Sequence, residues 1–395
     1  MKSTKKFFLA LGLLTLILAL LGANSVHAIE VTAKISMNAL EIAYDSGKGE
    51  IWATSLTSYI NEMGMNVSIP SESVSVISDA NNSLVSTVTV EEGPTNLAYD
   101  SGKNEIFTIN GYSTVSVISD RTNTLLATLN FTGNPNYGGA TGGLIYDSGK
   151  GEIWLWDFFT GIVTVISDST NCIIRSLSLG NNPGPSGLIY DWDKGEIFVI
   201  YEQENGGKPG GNPANFLSVI SDTNYSTIAT IPISDNVTPN AAFDSRTGEL
   251  YLPSPGNNTV IAVSDRTNSQ VATITVGNLP IQATYDSNKG VIFVGNTGDN
   301  TMSIISDSTN KVIENFTVGS YPGMSVFDSG KGELFTITGD STILVISDSS
   351  LPSVTPLKSI PEFNAPVILL AMTLIITVAI SLSLKRAGKR SSKSF

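Results

Sequence analysis

Side chains able to do acid–base, nucleophilic or metal chemistry are scarce in this sequence. Its single histidine is His27 and its single cysteine Cys172. Beyond residue 27 there is no imidazole, so a Ser-His-Asp triad and histidine-based zinc or haem sites fall away together. One cysteine forms no internal disulfide, and the fold must rest on packing. The remaining chemistry is acidic and repeated. Six-residue segments led by Asp stand at 45–50 (DSGKGE), 100–105 (DSGKNE), 147–152 (DSGKGE), 191–196 (DWDKGE), 244–249 (DSRTGE), 286–291 (DSNKGV) and 328–333 (DSGKGE). Clustered oxygens suit a hard cation, so Ca2+ is the one ion this pattern brings into question, most of all at Asp191-Trp192-Asp193-Lys194-Gly195-Glu196. None has the 12-residue ligand series of an EF-hand. An Asp that opens a turn and accepts its backbone N–H groups accounts for the pattern more simply, and no catalytic residue, metal or cofactor is expected. The glycine-rich segment 206–211, broken by Pro209 and without a strand-to-helix context, is a loop and not a phosphate cradle.

These segments recur because the chain does. Tyr/Phe-Asp pairs end at Asp45, Asp100, Asp147, Asp191, Asp244, Asp286 and Asp328, and each has a later Ser-Asp partner ending at Asp79, Asp120, Asp168, Asp222, Asp265, Asp307 and Asp348. Six intervals over 283 residues give a period of about 47, within the range of propellers and solenoids. Each unit reads as four short strands, A to D, rich in Val, Ile and Thr and free of any helical period. In the second unit these are 96–100, 105–110, 114–120 and 124–131. The seventh unit stops after strand C, and residues 31–36 (VTAKIS) are patterned like the strand D that it lacks. The expectation is an all-β, seven-bladed β-propeller of four-stranded antiparallel blades over 29–350, closed by strand 31–36 joining the last blade.

Both ends carry a different signature. Residues 1–28 have a basic start, an apolar run from Phe7 to Leu21 and the small-residue end Val26-His27-Ala28, as in a secretory signal peptide cut after Ala28; an uncleaved anchor is the alternative. A Pro-containing linker (351–364) leads to 20 residues without charge (365–384), long enough to span a hydrocarbon core of about 30 Å. The basic tail 385–395 would remain cytoplasmic by the positive-inside rule, leaving the repeats outside. Eight of the 22 Lys and Arg sit in these two ends, so the body has 14 against 35 acidic residues. Such a body repels phosphate backbones, and nucleic acid is not an expected partner.

The segments VSVISDRTNTLLATLNF (115–131), VIAVSDRTNSQVATITVG (260–277) and MSIISDSTNKVIENFTVG (302–319) resemble the YVTN-type propeller repeat of archaeal surface-layer and cell-surface proteins. The likeness covers residues 31–348, with the name-giving segment only loosely kept, as in Phe107-Thr108-Ile109-Asn110. Pro361-Glu362-Phe363, followed by an apolar span and a basic cluster, resembles the sorting tail of archaeal surface proteins; the alternative is an ordinary retained anchor. The resemblance implies a cell-surface location, with the extracellular domain anchored in the cytoplasmic membrane.

In an up-and-down blade the A–B and C–D turns share one face of the disc, and the B–C and D–A connections the other. The A–B turns are short and uniform, whereas the insertions (54–73, 202–215 and 132–141) all fall on the second face. Variable loops on a rigid scaffold are where recognition sits. Tyr59, Met63, Met65, Tyr137, Phe158, Phe159 and Tyr201 are the candidate contacts there, or else pack within their own loops. Asn-x-Ser/Thr sequons at Asn66, Asn81, Asn130, Asn224, Asn236, Asn257 and Asn315 are candidate glycan acceptors. The function expected is a non-enzymatic, membrane-anchored surface propeller with a structural or adhesive role, its partners being envelope proteins or surface glycans. The alternative is an exported propeller enzyme of lyase, lactonase or quinoprotein type working at the central channel.

Overall fold

The computed structural model describes residues 29–60, 66–111, 114–131, 142–158, 160–179, 183–203, 214–233 and 235–351. The segments 1–28 and 352–395 lie outside these, including the signal-like leader, most of the linker, the 365–384 span and Pro361, Glu362 and Phe363. Among the described residues no helix is long and apolar enough to cross a membrane.

Seven four-stranded antiparallel sheets form the propeller. Six are contiguous in sequence, each with its strands in the order A to D from the inside outwards. In the seventh, strand Glu30–Ser36 pairs with Thr342–Ser347 as the outermost strand. The expected closure is therefore present, one residue longer than the pattern suggested. It joins the two ends of the repeat array within one sheet, which leaves no open end to cap.

Each blade plants one aromatic ring against its neighbour. The seven largest fully buried side chains include Trp52, Phe107, Trp154, Phe198, Tyr251, Phe293 and Phe335, each the third residue of a strand B. Around them the β-branched residues of strands B and C alternate between the two faces of the sheet and fill both interfaces. Phe107, Val115 and Val117 of blade 2, for example, pack with Leu144, Ile153 and Leu155 of blade 3. Phe335, Ile343 and Val345 of blade 7 meet Ile42, Ile51 and Ile77 of blade 1 in the same way and complete the ring.

The A–B turns cross-stitch one face. In all seven, the leading Asp uses Oδ1 to accept the backbone N–H groups two and three residues on, as Asp45 does from Gly47 (2.8 Å) and Lys48 (3.1 Å). The chain then turns through a left-handed residue, Gly49 at φ 68° and Asn104 at φ 61° in the second blade. Glycine meets that requirement without steric strain, and asparagine tolerates it. The turn's basic side chain reaches over to the C–D corner of the next blade. Lys48 Nζ donates to the Asp120 carbonyl at 2.8 Å, Lys194 pairs with Asp265, and Arg246 Nε donates to Asp307 Oδ2 at 2.9 Å. Lys331 pairs with Asp79 and so links the last blade to the first.

On the opposite face, the described parts of two of the insertions read as loops extend the sheet. Strand B of blade 1 runs from Glu50 to Ile60 and pairs out to Ile60↔Asn66. In blade 4 the pairing continues to Gln203↔Ala214. In blade 1 the β-branched residues Thr54, Thr57, Ile60, Val67 and Ile69 let the ladder run on.

Candidate functional site

The inner strands of blades 1 to 5 converge on a cavity of about 780 Å3 at the axis, on the face of the B–C and D–A connections. It is lined by the first residues of successive strands A and the segments just before them: Leu40 and Glu41, Asn96 and Leu97, Leu144 and Ile145, Ser186 and Leu188, and Asn240. Non-adjacent blades share one cavity only at the axis, so this is the mouth of the central channel.

Its shape follows from a column in the repeat. Four residues before the leading Asp stand Glu41, Asn96, Gly143, Gly187, Asn240, Gln282 and Met324. The amides at this position tie one inner strand to the next. Asn96 Oδ1 accepts from the Leu144 N–H at 2.9 Å, and Asn240 Nδ2 donates to the Ile281 carbonyl at 3.4 Å. In blade 3 the column is empty of side chain, and the indole of Trp156 fills the space. A Cβ on Gly143 would stand 2.0 Å from that ring, and one on Gly142 would strike the Trp156 backbone. Two glycines thus let a side chain from the second strand reach the channel. Phe158, at the end of the same strand and 44% exposed, lies over Gly184 and completes this wall.

Glu41 is the one ionisable residue among the described residues that line the cavity, and none of these is basic. Burial pushes its carboxyl up to about 8, and the Ile42 N–H that it accepts pulls the other way. Its surface is only partly covered by direct contact, but the channel surrounds it with protein, and a charge there is poorly solvated.

Two bulky residues in the D–A connections of this face are strained. Leu279 and Tyr321, each followed by proline, have φ of 53° and 50°. Their N–H groups donate to Asn258 Oδ1 and Asn300 Oδ1, both at 3.0 Å. In the connection into blade 2 the equivalent residue is Gly93, at φ 80°. Bulky side chains at positive φ cost on the order of 1 kcal/mol or more, yet these two remain 45% and 64% exposed.

The candidate contacts read from the sequence separate accordingly. Phe158 stands at the channel mouth. Tyr201 is buried, stacked on Phe216 with ring centroids 5.7 Å apart, and so packs within its blade. Tyr59 lies on the extended hairpin, opposite Val67; Met63, Met65, Tyr137 and Phe159 fall outside the described residues. Of the sequons, Asn81, Asn130, Asn224, Asn236, Asn257 and Asn315 are exposed, and Asn66 begins strand C of the blade 1 hairpin. Sequence reasoning missed Glu41, Trp156, Leu279 and Tyr321. Comparing the seven strands A column by column would have revealed Glu41 as the only charged residue in its ring.

On the stitched face the acidic turns do not assemble a cation cage. Among the described residues no three His, Cys, Asp or Glu side chains converge to hold a metal. Carboxyls meet instead in pairs across blade junctions, Asp120 with Asp45, Asp168 with Asp100 and Asp79 with Asp328. Burial first, and then the neighbouring acid, pushes Asp120 up to about 6. Asp191 and Asp286 also stand at about 6, mainly through burial. A hydrogen bond between two carboxyls requires that one be protonated, which raises the affinity of the pair for a proton.

No protein-family model matches the sequence, and no curated protein matches it. Among solved structures the chain is similar to hydrazine synthase of Kuenenia stuttgartiensis, at 12% identity and a TM-score of 0.64 over 83% of this chain and 99% of that one. It is also similar to a chain of a mitotic checkpoint complex, at 12% identity and a TM-score of 0.65 over 81% of this chain and 93% of that one. At such identity the likeness concerns the fold alone, and in fold the chain is a seven-bladed β-propeller.

Proposed function

We propose that this chain is an exported, membrane-anchored cell-surface propeller that binds rather than catalyses, of the YVTN type found in archaeal envelopes. The observation that carries the reading is the difference between its two faces. One is stitched blade to blade by short uniform turns, and the other opens a largely apolar cavity and carries strained, exposed side chains. Recognition belongs on the second face, with envelope proteins or surface glycans as partners. The leader, the 365–384 span with its basic tail, the acidic body and the exposed sequons support an extracellular setting. Processing at Pro361-Glu362-Phe363 and retention of the anchor are the two forms of the tail.

The test is intact-mass and peptide mass spectrometry of the protein from its native membrane fraction. The expected chain begins near Ile29 and carries glycans on several sequons. It either keeps residues 385–395 as a retained anchor or ends near Phe363 as a processed tail. An intact Met1 on a glycan-free chain would refute export.

One observation favours the alternative of an exported enzyme at the channel. A carboxyl held near neutral pH in a cleft is suited to general acid–base work. Glu41 has no second ionisable group beside it among the described lining residues, and a binding role needs none.

A further inference from the structure

We infer that the channel mouth is a binding site for a small organic cation, an amine or quaternary ammonium with an apolar body, whose positive charge is received by Glu41 in a cavity that the indole of Trp156 also lines. The inference rests on reading this face as the recognition face, and it is independent of export and of anchoring.

Size is the first support. A cavity of about 780 Å3 matches those that enclose ligands of drug size, which run from about 300 to 1,000 Å3. Lining is the second. Leu40, Leu97, Leu144, Ile145 and Leu188 supply an apolar wall for the body of the ligand. The third is charge. A carboxylate in a poorly solvated channel is costly unless a cation pairs with it, and the other polar lining groups, Thr95, Asn96, Ser186 and Asn240, are neutral. At its column position the amide residues Asn96 and Asn240 stitch blades together, whereas Glu41 accepts the N–H of its own neighbour Ile42. The fourth is Trp156, which reaches the channel only because Gly142 and Gly143 have no side chains. Indole is the best aromatic partner for a cation, and an anionic ligand would face Glu41 with like charge. The net charge of −13 draws cations to the molecule from solution.

The experiment is isothermal titration calorimetry of the purified full chain with benzyltrimethylammonium chloride, beside the uncharged N,N-dimethylbenzamide. Saturable binding of the cation is expected, at least tenfold weaker in Glu41→Gln and several-fold weaker in Trp156→Leu. The amide ligand should bind more weakly and with no response to Glu41→Gln. Because the cation needs an ionised Glu41, affinity should rise between pH 6 and 9 in the wild type and stay flat in Glu41→Gln. Circular dichroism establishes that each variant is folded. Equal binding of the two ligands, an unchanged affinity in Glu41→Gln, or no saturable heat would each overturn the inference. If the cation fails to bind while mass spectrometry shows a processed, glycosylated surface chain, this inference falls and the surface reading stands.

Discussion

Substituting Asp120 by asparagine should make the propeller more stable at pH 8, about half as much so at pH 5, and change little below pH 4. Asp120 is 1% exposed and sits beside Asp45 of the preceding blade. Its carboxyl stands at about 6 in the fold, against about 3.9 in an unfolded chain, which is worth about 3 kcal/mol between the two protonation states. A raised acid pKa means that the folded chain holds more protons than the unfolded one. The stability it contributes is therefore complete below pH 4 and is lost as the pH rises through 6. Asparagine keeps the shape and offers an N–H to Asp45 at every pH. At pH 8 the variant should exceed the wild type by up to about 3 kcal/mol, or about 4 °C in Tm for a domain of this size. Asp191 and Asp286 act in the same sense, so the wild-type Tm should fall from pH 5 to pH 8. The acids pushed downwards, Asp299 and Asp340, lose their contribution only at lower pH. Calorimetric melts of both proteins at pH 5 and pH 8 decide the matter. A wild-type Tm that rises over this range, or a variant no more stable than wild type at pH 8, would refute the idea of shared-proton pairs at the junctions.

Phe107→Ala removes a fully buried ring at the interface of blades 2 and 3 and should cost about 3–5 kcal/mol, read as a lower urea midpoint; a loss under 1 kcal/mol would contradict the packing described. Tyr321→Gly should leave Tm unchanged or raise stability by about 1 kcal/mol, since it relieves a positive φ without emptying the core. The reverse change, Gly93→Leu, should lower Tm, because a Cβ there meets the Gly111 nitrogen at 3.2 Å at a φ of 80°. Deleting residues 30–36 removes the outer strand of the last blade and its buried Ile35; a lower Tm and faster proteolysis of blade 7 are expected, and an unchanged melt would mean that the closure is dispensable.

The period, the strand order and the closing strand could be read from the sequence because they depend on local signals repeated seven times: the turn-opening Asp, the left-handed Gly or Asn, and the β-branched alternation. The cavity could not. It depends on what seven equivalent positions do together in space, where Gly143 matters only because Trp156 occupies the volume it leaves. The two sheet extensions read as loops in the sequence because the Ser, Thr and Pro of 54–73 and the Gly, Asn and Pro of 202–215 are turn chemistry until a paired partner is known. Leu279 and Tyr321 carry no warning in sequence either, since residues before proline normally stay extended. The acidic turns show the opposite relation: their fully employed Oδ1 atoms are what the turn reading anticipated, while the carboxyl pairs across blades required the third dimension.

The closing strand also fixes where the chain enters and leaves the disc. Glu30 pairs with Ser347, and strand 342–347 runs towards the C–D side, so both crossing points lie on the stitched face. A force applied to the propeller through either crossing point would thus enter on the face whose blades are clasped to one another, at the junctions best braced to carry it, and opposite the face on which the cavity opens.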